Sequence, residues 1–312
     1  MEAELSLKSQ EGRRLAAAPA FFLPSGAPGF HYGFILAVPP SAKAGAASLQ
    51  LSFQVQPAGT LPQSAVIPTQ PGEASIQPAG TASQPGEASV QPTGIPFQPA
   101  EALSKPLAME LAQGIVIQPK SFAREDIPLD SANTAIRSAP DPVKDAQTEV
   151  FAEIFRTKDT TALFALDPMV KPLRDSWRIT AGFADQRRYL YANGGVDTSL
   201  HGGIDLWAAT GTPVLACAPG RVVFAGNRIV TGNTVVLEHL PGLFSIYMHL
   251  STISAAEGEL LDAGQLLGKV GSTGLSTGPH LHWELRIGPQ SVNPEYWLSR
   301  PILDKTWLSG EF

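Results

Sequence analysis

The chain has 312 residues, 43% of them apolar and 16% charged, which suits a globular protein of one or two domains. Its formal net charge is −6 and no Lys/Arg cluster exceeds two or three residues, which excludes a nucleic-acid surface. With 28 Pro and 29 Gly the composition favours turns and short strands over long helices, and one cysteine excludes an internal disulfide.

No stretch reaches the ~18 consecutive apolar residues of a transmembrane helix. Arg13-Arg14 and the apolar run Leu15 to Leu23 are preceded by acidic residues and broken by Pro19, so they read as a strand edge and not as an export signal. Residues 1–56 form a small β-sandwich-like region. Phe30 to Val38 is one apolar segment, and in Ala47 to Val55 the residues Leu49, Leu51, Phe53 and Val55 alternate with Gln50, Ser52 and Gln54. His31 has no ligand partner nearby and is read as structural.

From 57 to 100 the composition turns to Pro, Gly, Gln, Ala and Ser, and Gln70-Pro-Gly-Glu-Ala-Ser recurs at Gln84, a period of 14. Such a stretch buries too little apolar surface to offset its ordering entropy and reads as an inserted linker. Strands of the N-terminal region return over 101–140, with Gly114 to Gln118 as one strand and Phe122 to Leu129 extended. Asp141-Pro142 then supplies an N-cap and a first-turn proline. Val143, Ala146, Val150 and Ile154 follow at helical spacing, predicting a connecting helix in the segment 141–171 whose stripe packs between the two halves.

The segment 172–300 begins with a strand over Trp177 to Phe183. A long polar loop follows, holding Arg187, Arg188, Tyr189 and Tyr191 and ending at His201; Arg187, Tyr189 and Tyr191 are its candidate substrate-binding residues. Beyond Asp205, short strands at 213–218, 221–225, 234–239, 243–250 and 266–270 alternate with Pro/Gly turns, an antiparallel β layout. Residues 301–312 are a C-terminal tail. Cys217 reads as a small buried apolar residue and His239, at a strand end, as structural.

Read as a strand, Pro279 to Ile287 puts His280, His282, Glu284 and Arg286 on one face and Leu281, Trp283, Leu285 and Ile287 on the other. His201-Gly-Gly-Ile-Asp205 adds two further ligand types around a tight bend. In Ser245 to Leu250, alternation groups His249 with Ser245 and Tyr247, away from Phe244, Ile246, Met248 and Leu250. Gly271 to Gly278 superficially resembles a phosphate loop but has no Lys-Ser/Thr after it, and is read as the connection that delivers His280.

His201-x-x-x-Asp205, Tyr247-x-His249-Leu250 and Thr277-Gly-Pro-His280-Leu-His282 match, in order and approximate spacing, the lysostaphin/LytM-type zinc metallopeptidases, and the chain resembles that family over about 172–300. The resemblance implies a mostly β fold with an open groove, zinc held by His201, Asp205 and His282, and His249 and His280 flanking a metal-activated water. Which of these two is the general base stays open. It further implies an endopeptidase acting on peptidoglycan peptides, in the periplasm or outside the cell; nothing in the chain names a regulatory protein partner. A non-catalytic scaffold or activator of wall hydrolases is the alternative. A lipoyl-like carrier is disfavoured because Lys269 sits in an apolar run, and a two-His iron oxygenase because His249 and His280 would be superfluous.

Overall fold

The computed structural model describes residues 2–9, 11–19, 21–23, 31–33, 37–43, 45–54, 107–117, 119–157, 159, 162–174 and 177–303. The repeat-bearing stretch 57–100 lies outside them. In the N-terminal region β1 (Glu2–Ser9), β2 (Arg14–Pro19), β3 (Phe21–Leu23), β4 (His31–Gly33), β5 (Gly45–Gln54) and β6 (Leu107–Ile117) follow in order. They make an antiparallel sheet β2-β1-β5-β6 and a separate β3-β4 ladder. The apolar alternation of β5 appears in the register, with Leu49 opposite Leu7 and Leu111. β1 thus precedes the expected segments, β2 and β3 fall on the stretch read as a strand edge, and β6 runs longer than the Gly114–Gln118 stretch.

After β7 (Arg124–Pro128), α1 (Ser131–Ser138) is capped by Asp130, whose carboxylate accepts from Asn133 N at 2.7 Å. Helix α2 (Pro142–Arg156) has the expected caps: Asp141 accepts from Val143 N at 2.8 Å, Pro142 opens the first turn and Thr157 closes the last. The packed face differs from the predicted stripe. Val143 and Val150 remain 58% and 52% exposed, whereas Phe151 and Phe155, one turn apart, are buried. The aromatic pair removes more apolar area from water than the valines would, and so sets the rotation of the helix. Phe155 meets Phe244 edge-on at 5.3 Å and Phe151 meets Phe224 at 5.1 Å. Truncating Phe155 to alanine is expected to destabilise the protein by about 3–5 kcal/mol in urea unfolding; a loss under about 1 kcal/mol would mean that α2 does not depend on this contact.

The rest of the chain is β8 (Arg178–Ala181), β9 (Gln186–Leu190), β10 (Val196–Leu200), β11 (Ile204–Trp207), β12 (Pro213–Leu215), β13 (Gly220–Arg228), β14 (Gly232–Leu240), β15 (Leu243–Ile253), β16 (Leu260–Leu261), β17 (Leu266–Val270), β18 (His280–Ile287), β19 (Gln290–Val292) and a 3₁₀ turn, Pro294–Leu298. A ten-stranded antiparallel sheet runs β16-β13-β14-β15-β18-β11-β8, with β12, β17 and β19 attached. The predicted polar loop before His201 is instead the hairpin β9–β10, turning at Asn193-Gly194, where Gly194 takes φ +83°. β9 also pairs in parallel with β7, so the segment ahead of α1 becomes a wall beside the large sheet.

The two faces of the large sheet are used differently. Leu281, Trp283 and Leu285 of β18 join Tyr247, Leu237 and Val235 in the main core, sealed by Ala165, Met169, Leu173 and Ile302. On the other face α2 covers Phe244 and Ile246. Met248 belongs to the same cluster and lies opposite His282 in the β15–β18 ladder.

Candidate metal centre

Strand register brings the polar groups together. Asp205 lies opposite His282 and Trp207 opposite His280 in the β11–β18 ladder, so the carboxylate and both imidazoles share one face at cross-strand contact distance. His201 arrives from the bend before β11, where its N–H donates to Asp185 O at 2.9 Å and its carbonyl accepts from Ala184 N at 2.8 Å. The bend needs its glycines: a Cβ on Gly203 would collide with the Trp283 carbonyl, and one on Gly202 would stand 2.9 Å from Glu284 Oε1.

His249 departs from the expected alternation. It takes φ +61°, and the β14–β15 register slips between Asn233 and Val235, so β15 carries an extra residue at this point. In such a bulge two successive side chains emerge on one side. His249 therefore joins Met248 on the His282 face, while Ser245 and Tyr247, its predicted companions, are buried in the core. Left-handed backbone at a residue with a Cβ costs on the order of 1–3 kcal/mol and is retained only where the surroundings enforce it.

Three acceptor atoms converge. His201 Nε2 is 3.1 Å from Asp205 Oδ1 and 2.9 Å from His282 Nδ1, and the latter two are 2.9 Å apart. Their outer atoms are occupied. His201 Nδ1 donates to Gly182 O at 2.7 Å, His282 Nε2 lies 3.4 Å from Glu284 Oε2, and Asp205 Oδ2 is bound by Arg187. Neutral rings with these partners turn two nitrogen lone pairs and a carboxylate lone pair toward one point, an arrangement that only a cation or a shared proton relieves. Ligands about 2 Å from a tetrahedral zinc ion would be roughly 3.3 Å apart, so the triangle needs little opening to accept one.

The electrostatics agree. Burial disfavours charge on Asp205, but hydrogen bonds from His201 and His282 outweigh it and hold its carboxyl well below the usual range. Burial likewise opposes an imidazolium at His282, yet Asp205 and Glu284 hold its pKa up at about 9. His201 is pushed down, mainly by burial.

His249 and His280 stand beside the triangle, ring centres 4.7 Å apart. His249 Nδ1 donates to Thr273 O at 2.7 Å and His280 Nδ1 to Gly278 O at 2.8 Å, so both present a bare Nε2. Burial, reinforced by the neighbouring histidines, takes His249 down to about 3 and keeps it neutral at ordinary pH. The expected loop does deliver His280, and its carbonyls fix both rings. Two cavities, of about 270 and 280 Å³, meet at His249; Trp207, Thr180 and Ile127 line the first, Met248 and Arg137 the second.

The three candidate substrate contacts are already engaged. Arg187 is bound to Asp205, the Tyr189 ring lies under the Arg137 guanidinium at 3.7 Å, and the Tyr191 hydroxyl is 3.4 Å from Asp197 and lines neither cavity. Two participants have roles that the sequence did not assign them: Arg187, read there as a substrate contact, is the partner of Asp205, and Glu284, given no role there, is the partner of His282. The second was signalled by the period-2 pattern of β18.

His239 and Cys217 sit apart in the core. His239 Nδ1 donates to Pro219 O at 2.7 Å and its Nε2 is 2.7 Å from Ser245 Oγ. Burial raises the Cys217 thiol to about 11 and lowers His239 to about 4. Because an unfolded chain protonates His239 near 6.5, this residue's contribution is complete above that pH and is lost as pH falls toward 4, about 3 kcal/mol in all. Urea unfolding of wild type and His239→Gln between pH 7 and 4.5 is expected to show a shallower decline in the variant; parallel curves would refute this.

Residues 199–294 match Peptidase family M23. Over 95 residues the chain is 52% identical to the DD-carboxypeptidase/endopeptidase Mpg of Neisseria meningitidis, covering 30% of this chain and 22% of that protein. It is 38% identical over 122 residues to the peptidoglycan DD-endopeptidase ShyA of Vibrio cholerae, covering 39% and 28%. The matches thus span about a quarter of these relatives. A putative peptidase M23 from Pseudomonas aeruginosa has the same fold over 95% of this chain and 87% of its own, with TM-score 0.52 and 18% identity.

Proposed function

We propose that this chain, which carries a Peptidase M23 domain over residues 199–294, is a zinc-dependent endopeptidase that cuts peptide cross-links or stem peptides of bacterial peptidoglycan. The observation that supports it most is the convergence of His201 Nε2, Asp205 Oδ1 and His282 Nδ1 beside two further imidazoles with bare Nε2 atoms. The substrate class follows the names of the relatives, and with it a place in the cell envelope. We take 172–300 as the peptidase domain.

In this reading His201, Asp205 and His282 hold the ion. Zinc bound there would polarise the scissile carbonyl and acidify a water molecule. His249 and His280 supply the rest. With Nδ1–H fixed on a backbone carbonyl, each ring can accept a proton only at Nε2, on the groove side, and return it there to the leaving amine. His280 Nε2 also lies 3.8 Å from Asp205 Oδ1, which favours the imidazolium as it forms.

The test is zinc content together with mass spectrometry of digested peptidoglycan. One zinc per chain and new peptide termini are expected. Zinc without cleavage would favour a scaffold or activator, and a protein that takes up no divalent metal would end the hydrolase reading.

A further inference from the structure

We propose that Glu284 is the positioning residue for His282. Its carboxylate holds the Nε2–H of that ring and so aims the bare Nδ1 at the cation, an inference that rests on the metal reading above.

His282 is the exception among the four histidines of the centre. His201, His249 and His280 donate through Nδ1 to the carbonyls of Gly182, Thr273 and Gly278 and face inward with Nε2. His282 faces inward with Nδ1, 2.9 Å from both Asp205 Oδ1 and His201 Nε2. Among the described residues no backbone carbonyl takes its other nitrogen. That role falls to Glu284 Oε2 at 3.4 Å, and a carboxylate, which only accepts, leaves the ring one neutral form with the proton on Nε2.

The carboxylate is itself fixed. Its Oε1 accepts from Arg286 Nε and Ser291 Oγ, both at 2.6 Å, and the residue is 2% exposed. Gly202 leaves the room this needs. Arg286 is braced in turn, stacked over Phe155 of α2 at 4.5 Å. A chain of contacts therefore runs from the helix through Arg286 and Glu284 to one ligand of the proposed ion.

Glu284→Gln tests this with almost no change of shape. Arg286 and Ser291 would keep the amide oxygen, so the NH₂ would face His282 and call for an acceptor at Nε2, moving the ring proton to Nδ1 in the path of the ion. Zinc affinity, measured by competition with a chromophoric chelator, is expected to fall about 10- to 100-fold. Long-range ¹H–¹⁵N spectra of the zinc-loaded wild type should show His282 protonated at Nε2, a signature the variant loses. Ser291→Ala leaves the acceptor in place and should weaken zinc by less than about threefold. Glu284→Asp, which draws the carboxylate back by one methylene, serves with the same readouts if the Gln variant does not fold. A folded variant, Gln or Asp, that binds zinc within about threefold of wild type would overturn the proposal, as would an Nδ1-protonated His282 in the loaded wild type. A wild type that binds no zinc would instead sink the metal reading itself.

Discussion

His282→Ala is expected to leave a folded protein that holds no zinc and cleaves peptide bonds at least about 10⁴-fold more slowly than wild type. The size follows from what the residue joins. Its Nδ1 is one of three atoms in the acceptor triangle, and it stands opposite Asp205 in the strand ladder. A two-ligand remnant, His201 and Asp205, cannot hold an ion against water, so affinity should fall well beyond the roughly 100-fold that a change in a ligand's outer partner costs. The backbone of β18 is untouched, with Leu281, Trp283 and Leu285 still anchoring it in the core. Circular dichroism and metal analysis separate the two effects. His239→Ala is the matched control, a buried histidine whose loss should lower stability but leave zinc content unchanged. If His282→Ala retained zinc stoichiometrically, the assignment of the triangle would be wrong.

How far the chain could be read in advance depended on whether the deciding forces were local. The caps of α2 were legible because Asp141-Pro142 acts within one turn. The faces of β18 were legible because a strand's period is 2 and both sides are chemically distinct. The rotation of α2 was not, because Val143 and Phe151 are equally plausible until a sheet bearing Phe244 and Phe224 is there to choose the aromatic side. The β9–β10 hairpin carried a readable turn, Asn193-Gly194, but its charged alternation looked like a solvated loop until paired with Asp126 and Asp205. Arg188 binds the first of these and Arg187 the second. The orientation of His249 was beyond local reading altogether, since the bulge arises from a mismatch between β14 and β15.

That bulge yields the second large effect. His249→Ala and His249→Gly are both expected to keep zinc and to lose about 10²–10⁴-fold in kcat, the usual contribution of a positioned acid–base group. Their stabilities should diverge. At φ +61° an alanine retains the strain of a Cβ in left-handed backbone, whereas glycine adopts that conformation freely. The glycine variant should therefore be more stable than the alanine variant by about 1 kcal/mol in urea unfolding. Both lose the bond from Nδ1 to Thr273 O, so the difference between them isolates the backbone. His280→Ala should match the kinetic loss without any such stability signature, since His280 sits in regular strand geometry. Combining the two substitutions should cost less than the product of the single losses if both rings handle the same proton. A His249→Gly protein within tenfold of wild-type kcat would show that the strained conformation serves packing and not the reaction.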